Sequence, residues 1–279
     1  MKNPKLFIIV LNYNGRDTLK KCLESIYLSD YENKEVVVVD NASTDGSFDE
    51  MRRHFQKFHF IKNNQNIGFA AGNNVAIKWA LEKMADYVLL LNNDAYLEKD
   101  TLSILMREAE KNKKPGIFCP LIYNGYTNKI WFSGGKIDWL KMRAIHEEGK
   151  TDFISGCAML IHKDVFKKIG LLDEKFFLYY EDADFSFRAR KAGFDLRIIP
   201  DAKVYHYEKS SENIGKIYYL VLSAIIFFRK NSNFFQRIYI EIYLLARKIK
   251  NHFDLKKDSQ NEEKLLVQKA YRDSKKFKK

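Results

Sequence analysis

The sequence predicts an α/β protein: a sheet of buried strands flanked by helices, followed by a helical extension. Three observations predict it. Short β-branched runs alternate with helical patterns through the first hundred residues, as strand–helix–strand crossovers require. Those runs are apolar throughout, which suits strands covered on both faces. The charge also divides. Residues 213–279 carry 16 Lys and Arg against 6 Asp and Glu, a net +10 of the chain's +12, so the body before them is nearly neutral.

Taken in order, LFIIVLN is the first strand, and it leads straight into Asn, Tyr and Asn with no small-residue cleavage site, unlike a signal peptide. A helix from about Arg16 precedes the strand EVVVVDN, a helix from about Ser47 precedes FHFIKN, and a helix from about Phe69 precedes YVLLLN. Between Gly116 and Gly149 the pattern loosens, with IFCPLIY and KIWFSGGKID reading as strands and Gly134-Gly135 marking a turn or a close backbone approach. TDFISGCAMLIHKD is a strand running into a helix. FFLYYEDADFSFRARKAG is extended, then helical, and stops at Gly193. LRIIP and AKVYHY complete the body. Amphipathic helices are expected over 213–230, 234–252 and about 260–277, and the boundary near Ser210–Gly215 separates a body, 1–212, from a basic tail, 213–279.

Composition excludes several classes. At 279 residues, 46% apolar and 30% charged, the chain can bury a full core and is not disordered. Cys22, Cys119 and Cys157 are far apart, odd in number and without a C-x-x-C pair, so they are expected to be reduced thiols of a cytoplasmic protein rather than a disulfide framework or zinc site. The longest nearly unbroken apolar run, Tyr218–Phe228, is 11 residues, against roughly 18 or more for a spanning helix.

In an open α/β sheet, ligands gather at the carboxyl ends of the strands. Here those ends read Asn12-Tyr13-Asn14-Gly15, Asp40-Asn41-Ala42-Ser43-Thr44-Asp45-Gly46, Asn63-Asn64-Gln65-Asn66 and Asn92-Asn93-Asp94, all polar. Asp40 with the loop after it can read a nucleobase and ribose, although Thr44 and Asp45 could equally cap the next helix without a ligand. Asp94 offers the single carboxylate that a hard cation bridging a diphosphate needs; a ligand-free turn would look the same. Glu181-Asp182-Ala183-Asp184 puts three carboxylates at a helix start, where the dipole favours an ionised Asp able to act as a base. Ordinary N-terminal charge preference explains one or two of them. His206, between two tyrosines, is by itself more readily a packed histidine than a ligand.

Taken together and in this order, VLNYNG, VVDNASTDGS, NNQNIGFAAGNN, YVLLLNND, FISGCAMLIHKDVFKKIGLLDEKFFLYYEDADFSFRARKAG and VYHYEKSS resemble the family 2 glycosyltransferases of the GT-A fold, in particular the rhamnosyltransferase-like enzymes of cell-surface polysaccharide assembly. The resemblance spans residues 5 to about 211. It implies a Rossmann-like, nucleotide-binding mixed sheet, a nucleoside-diphosphate sugar donor (dTDP-rhamnose among the candidates) and a glycan or lipid-linked acceptor. Asp40 then matches the residue that reads the base, with Asn12, Asn14, Ser43 and Asp45 around it. Asn66, Gly68, Asn73 and Asn74 fall in the segment that packs on the nucleotide. Asn92-Asn93-Asp94 replaces the family's D-x-D, so Asp94 is expected to hold Mg²⁺ or Mn²⁺ and Asn92 to face the ribose, with one negative charge fewer than in many relatives. Asp182, with Glu181 as the next candidate, matches the catalytic base, and His206 a histidine that completes the metal shell.

The expected reaction is an inverting, metal-dependent sugar transfer. A dinucleotide-dependent oxidoreductase would need G-x-G-x-x-G after the first strand, where the chain has NYNGRD. The competing non-enzymatic reading is a basic membrane- or nucleic-acid-binding protein on a degenerate α/β body. Against it, the near-neutral body keeps every polar strand end the chemistry requires, so no nucleic acid partner is expected. The tail matches no motif; its mixed basic and apolar helices suit the inner face of an anionic membrane, or packing on the body or on a second chain.

Overall fold

The structure is a computed structural model that describes residues 3–208 and 214–277. The boundary expected near Ser210–Gly215, the 212/213 division and the last residues of the VYHYEKSS motif fall largely in 209–213, outside the described residues.

The first half alternates as the apolar runs require: β1 (Leu6–Asn12), α1 (Leu19–Tyr27), β2 (Lys34–Asp40), α2 (Ser47–His54), β3 (His59–Lys62), α3 (Phe69–Glu82) and β4 (Tyr87–Asn92). A short strand, β5 (Ala95–Leu97), and α4 (Thr101–Lys111) follow; three residues are too few to read as a strand, whereas α4 buries Leu102, Leu105, Met106 and Ala109 at helical spacing and is not among the helices named from sequence. Then come β6 (Gly116–Asn124), β7 (Ile130–Phe132), β8 (Gly135–Asp138), β9 (Arg143–His146), β10 (Ala158–His162), α5 (Lys163–Ile169), α6 (Glu181–Lys191) and β11 (Asp195–His206). LRIIP and AKVYHY form this one strand, broken only by a register shift between Ile199 and Lys203. The extension contains α7 (Gly215–Asn231), α8 (Phe234–Lys257) and α9 (Glu262–Asp273).

The main sheet runs β3-β2-β1-β4-β10-β6-β11-β5. β3, β2, β1 and β4 are mutually parallel, β10 is antiparallel to both β4 and β6, and β5 is antiparallel to β11, so the sheet is mixed. Its centre is dry: Leu6 to Val10, Val37 to Val39 and Val88 to Leu89 are fully buried. The hairpin β8–β9 forms a separate two-stranded sheet beside it.

The first helix of the cationic extension shares this core. Ile225, Ile226, Phe227 and Phe228 of α7 are buried in the same cluster as the sheet. Lys230 and Asn231 at its end reach the buried Asp184 of α6 at 2.8 and 3.1 Å, where Arg188 also pairs with Asp184. Asp184 is therefore an anchor between helices and does not join the two preceding acids. No helix among the described residues is long and apolar enough to cross a membrane.

Candidate functional site

The parallel ladder between β1 and β2 sets Asn12 beside Asp40. Both are fully buried, and Asn12 Nδ2 donates to Asp40 Oδ1 (2.9 Å) while also reaching Ser47 Oγ (2.9 Å) and Ser43 Oγ (3.1 Å). The other oxygen of Asp40 accepts the backbone N–H of Ser43 (2.9 Å). Ser43 Oγ in turn accepts from the N–H of Asn14, whose side-chain oxygen takes the N–H of Thr44. Asp45 accepts from Ser47 and from the Arg16 N–H; burial opposes its charge, but these bonds outweigh burial and lower its pKa. The loop after β2 is thus tied to the loop after β1, and Asp45 does cap α2 as the ligand-free reading allows. Gly15 is needed beneath: a methyl there would collide with Asn12 Oδ1 and Asn93 Nδ2, which are hydrogen-bonded at 3.1 Å.

Asn92, at the end of β4, opens a cleft of about 510 Å³. From there the chain crosses from the middle of the sheet to its edge, where β5 pairs with β11 and sets Ala95 opposite His206. The Tyr207 N–H donates to the Asp94 carbonyl (2.8 Å), and His206 Nε2 lies 3.1 Å from Asp94 Oδ1. Pairing of two strands over a hundred residues apart therefore assembles this corner. Five buried side-chain atoms in the described residues have no hydrogen-bond partner, and all line this cleft: Asn92 Oδ1, Asp94 Oδ1, Glu181 Oε2 and both ring nitrogens of His206. The His206–Asp94 approach has ion-pair distance without hydrogen-bond alignment. Burial opposes a charge on His206, while Asp94 beside it favours one and raises its pKa above the ordinary imidazole value. Burial pushes the Cys157 thiol itself up, so the proton stays on sulfur and Asp94 is the anion that matters.

Leaving such polar atoms unmatched costs roughly 1–3 kcal/mol each unless a ligand completes them. Two oxygens and an imidazole facing one cleft suit a divalent cation that takes its remaining ligands from phosphate and water. No three His, Cys, Asp or Glu side chains converge among the described residues. The chain alone thus offers Asp94, His206 and the amide oxygen of Asn92, and His206 must lose its proton to ligate.

Glu181 and Asp182 open α6 on the facing wall. Burial, then the charge of Asp182, holds the Glu181 carboxyl well above its usual range, so it keeps its proton. Burial also raises Asp182, but Gly156 N–H donates to its Oδ2 (2.9 Å) and Ala183 N–H to its Oδ1 (2.7 Å), which favours ionisation. Expected from sequence was a helix start that keeps Asp182 ionised; burial outweighs the dipole and raises its pKa. A carboxylate of raised pKa is a stronger proton acceptor once ionised. Before the pair, Tyr179 and Tyr180 both have φ of +67°, a left-handed turn unusual for bulky residues and costing roughly 1–3 kcal/mol each. It is held from outside: Tyr180 OH accepts from Ala144 N–H (3.1 Å), Ser223 of α7 donates to the Leu178 carbonyl (2.8 Å), and Tyr219 of α7 stacks on Phe177.

The structure brings Asn92, Asn93, Asp94, Glu181, Asp182, His206 and Asn14 to one cleft, with Asn12, Asp40, Ser43 and Asp45 adjoining it. Asn66 closes a tight turn onto Gly68 N–H (3.0 Å), and Gly68 (φ +87°) lies so near Phe177 that a methyl would come within 2.6 Å of its carbonyl. Asn73 and Asn74 turn inward. Asn73 donates to Phe69 O within α3, and Asn74 fastens α3 to Leu172 and Glu174, so neither side chain lines the cleft. Sequence reasoning missed Trp131 and His146, which the hairpin region carries into the cleft. Trp131 packs edge-on against His206 at 4.5 Å, and His146 Nδ1 lies 2.8 Å from the Trp131 carbonyl. Their signal, a tryptophan and a histidine in irregular strands, has no local periodicity to mark it. Tyr13 at the mouth could have been found as the aromatic between two site asparagines.

Comparison with known proteins bears on the family and the fold. The family model described as "Glycosyl transferase family 2" matches residues 7–170. The chain is 26% identical to the dTDP-rhamnosyl transferase RfbF of Shigella flexneri, over 82% of this chain and 81% of that one. It is 23% identical to the N-acetylglucosaminyl-diphospho-decaprenol L-rhamnosyltransferase of Mycobacterium tuberculosis, over 73% and 76%. Among solved structures, the mannosyltransferase PcManGT from Pyrobaculum calidifontis, in complex with GDP-Man and Mn²⁺, superposes with a TM-score of 0.65 at 16% identity, covering 98% of this chain and 86% of that one. Residues 1–349 of S. aureus TarS with UDP-GlcNAc give 0.62 at 17%, covering 97% and 80%. The fold is GT-A.

Proposed function

The chain belongs to glycosyl transferase family 2 and is a glycosyltransferase; from that premise we propose that it transfers a sugar, with inversion, from a nucleoside-diphosphate donor, dTDP-rhamnose first among the candidates, to a lipid-linked or glycan acceptor. The observation that carries this reading is that, among the described residues, the unmatched buried side-chain polar atoms all gather at the cleft where Asp182 lies. The donor's nucleotide lies over the Asn12–Asp40–Ser43 network with its diphosphate toward Asn92 and Asp94. Asp94, His206 and Asn92 would hold Mn²⁺ or Mg²⁺, which would supply Lewis-acid neutralisation of the leaving diphosphate, usually worth several kcal/mol.

Asp182 accepts the proton of the acceptor hydroxyl as that oxygen bonds to the anomeric carbon. The bond from that carbon to the diphosphate breaks on the opposite face. Glu181, protonated, keeps a second negative charge away from the diphosphate. General-base assistance of this kind contributes about 10²–10⁴ in rate. The relatives named for rhamnosyl transfer support the donor, and the one whose acceptor is a diphospho-decaprenol supports a lipid-linked acceptor.

The outer face of α8 supports peripheral contact with an anionic membrane. Phe235, Ile238, Ile242, Leu245, Ile249 and Phe253 form one exposed stripe at helical spacing, and Lys250, Lys256 and Lys257 are exposed toward the end of the same helix. Each such cation adds roughly 1 kcal/mol near anionic lipid.

The test is incubation of the purified chain with dTDP-rhamnose, UDP-sugars and GDP-sugars, following nucleoside diphosphate release and the anomeric configuration of the product by NMR. Metal-dependent release with inverted configuration is expected. Retained configuration, or no release from any donor, overturns the reading.

A further inference from the structure

A second cavity lies behind the strained turn. It is a groove of about 540 Å³ between α7, α8, α9 and the β8–β9 hairpin, with Tyr180 in its wall. Its floor is apolar, built by Val221, Ala224 and Ile225 of α7 and Leu244 of α8. Lys141, Arg143 and Arg247 also line the groove and no Asp or Glu does, although Arg143 lies 3.8 Å from Asp138 just outside. The cleft differs in kind, since Asp17, Asp94, Glu181, Asp182 and Glu208 all line it. A nucleotide needs base-reading polar groups that this floor lacks, and free phosphate has no use for the floor. One molecule satisfies both parts: a single hydrocarbon chain ending in an anionic head.

Three separate elements pass from this groove to the reaction cleft. On β9, Arg143 and Ala144 face the groove and His146 the cleft, three residues or roughly 10 Å along a strand. On α7, Leu220 lines the groove and Lys216 the cleft, four residues or roughly 6 Å along a helix. In the turn, Tyr180 borders one and Tyr179 the other. Beyond Lys141, Leu140 is exposed, and its carbonyl accepts from Tyr239 OH of α8 (2.7 Å).

Resting on the glycosyl-transfer reading above, we infer that this groove binds the isoprenoid diphosphate part of a lipid-linked acceptor. The first isoprene units lie on Val221, Ala224 and Leu244, and the diphosphate meets Lys141, Arg143 and Arg247. The sugar attached to that diphosphate then reaches past Tyr180 toward Asp182.

The probe is geranylgeranyl diphosphate, titrated by equilibrium dialysis into the full chain without added metal, wild type against Lys141→Ala/Arg143→Ala and against Ala224→Trp. The two cations are exposed, so the first variant tests the head site without disturbing the core, while the tryptophan fills the floor. Each variant is expected to weaken binding at least about tenfold, the loss of one or more charge-assisted contacts or of the chain's seat, and excess dTDP should not displace the probe. Displacement by dTDP, equal affinity in all three proteins, or no binding to wild type overturns the inference. Nucleoside diphosphate release from the donor panel is measured on the same wild-type preparation. Release without probe binding removes the groove and leaves the transferase reading standing; probe binding without release from any donor removes that reading and the acceptor role together.

Discussion

The two halves of the site are built on opposite principles. Around Asn12 and Asp40, side chain answers side chain: Asn12 alone touches Asp40, Ser43, Ser47 and Asn93, and none of the buried orphan atoms belongs to this network. Around Asn92, Asp94, Glu181 and His206, the fold buries polar atoms and leaves them without partners. The first half satisfies its polar groups from within, and on the function proposed above a ligand would complete the second. Substitutions in the closed half should therefore cost stability, and those in the open half should cost chemistry while leaving or improving stability.

The largest expected effect is on chemistry. Asp182→Asn keeps the shape and one of the two backbone N–H contacts, from Gly156 or Ala183, but loses the proton acceptor, and kcat should fall by about 10²–10⁴ with donor affinity nearly unchanged. Steady-state kinetics with titrated donor reads both; a variant retaining more than about a tenth of wild-type kcat would move the base elsewhere. Because Asp182 is raised above the ordinary value of 3.8, the wild-type kcat should also climb with pH along an acid limb lying above that value, and the limb should vanish in the variant's residual activity.

Next in size, Asn12→Ala strands Asp40 and the two serines in a buried site and should destabilise the fold by roughly 2 kcal/mol. Denaturant titration measures it, and a loss within about 0.5 kcal/mol would mean that this half is no more closed than the other.

Glu181→Gln should show the reverse sign. The folded state holds the Glu181 proton that an unfolded chain releases above its usual 4.5, so wild-type stability is greatest below that pH and declines as pH rises toward the folded value. Melting curves from pH 4 to 8 should show the variant losing less stability than wild type as pH rises. Parallel curves would show that Glu181 is ionised in the fold.

Smallest is Asn92→Leu, which removes an unpartnered oxygen at nearly constant volume and should raise the melting temperature by a few degrees at most. A drop of several degrees would reveal a partner for that oxygen.

The same division explains what could be read from the sequence. β1, β2 and β4 announce themselves as unbroken apolar runs, and their polar ends stand next to them in the chain, so Asn12, Asp40 and Asn92 were legible. The acid start of α6 was legible as charge at a helix N-terminus. Strand order was not. Nothing local in Ala158–His162 says that β10 runs antiparallel between β4 and β6, or that β5 crosses to β11 to meet His206. Asn73 and Asn74 look like site residues because they share a polar segment with Asn66, yet helical geometry turns them into the protein. The apolar run of α7 is amphipathic in sequence, and only tertiary packing shows that Phe227 and Phe228 support Tyr180 rather than face outward.

On the proposed function, a cation and a diphosphate would complete the orphan atoms of the open half. Calorimetric titration of Mn²⁺ in the presence of dTDP, wild type against Asp94→Ala and His206→Ala, tests it most directly. Saturable binding to wild type is expected, with a loss of at least about tenfold without the Asp94 carboxylate and a smaller loss without His206, since water replaces a neutral ligand more readily than an anion. Equal Mn²⁺ affinity in all three proteins would contradict it.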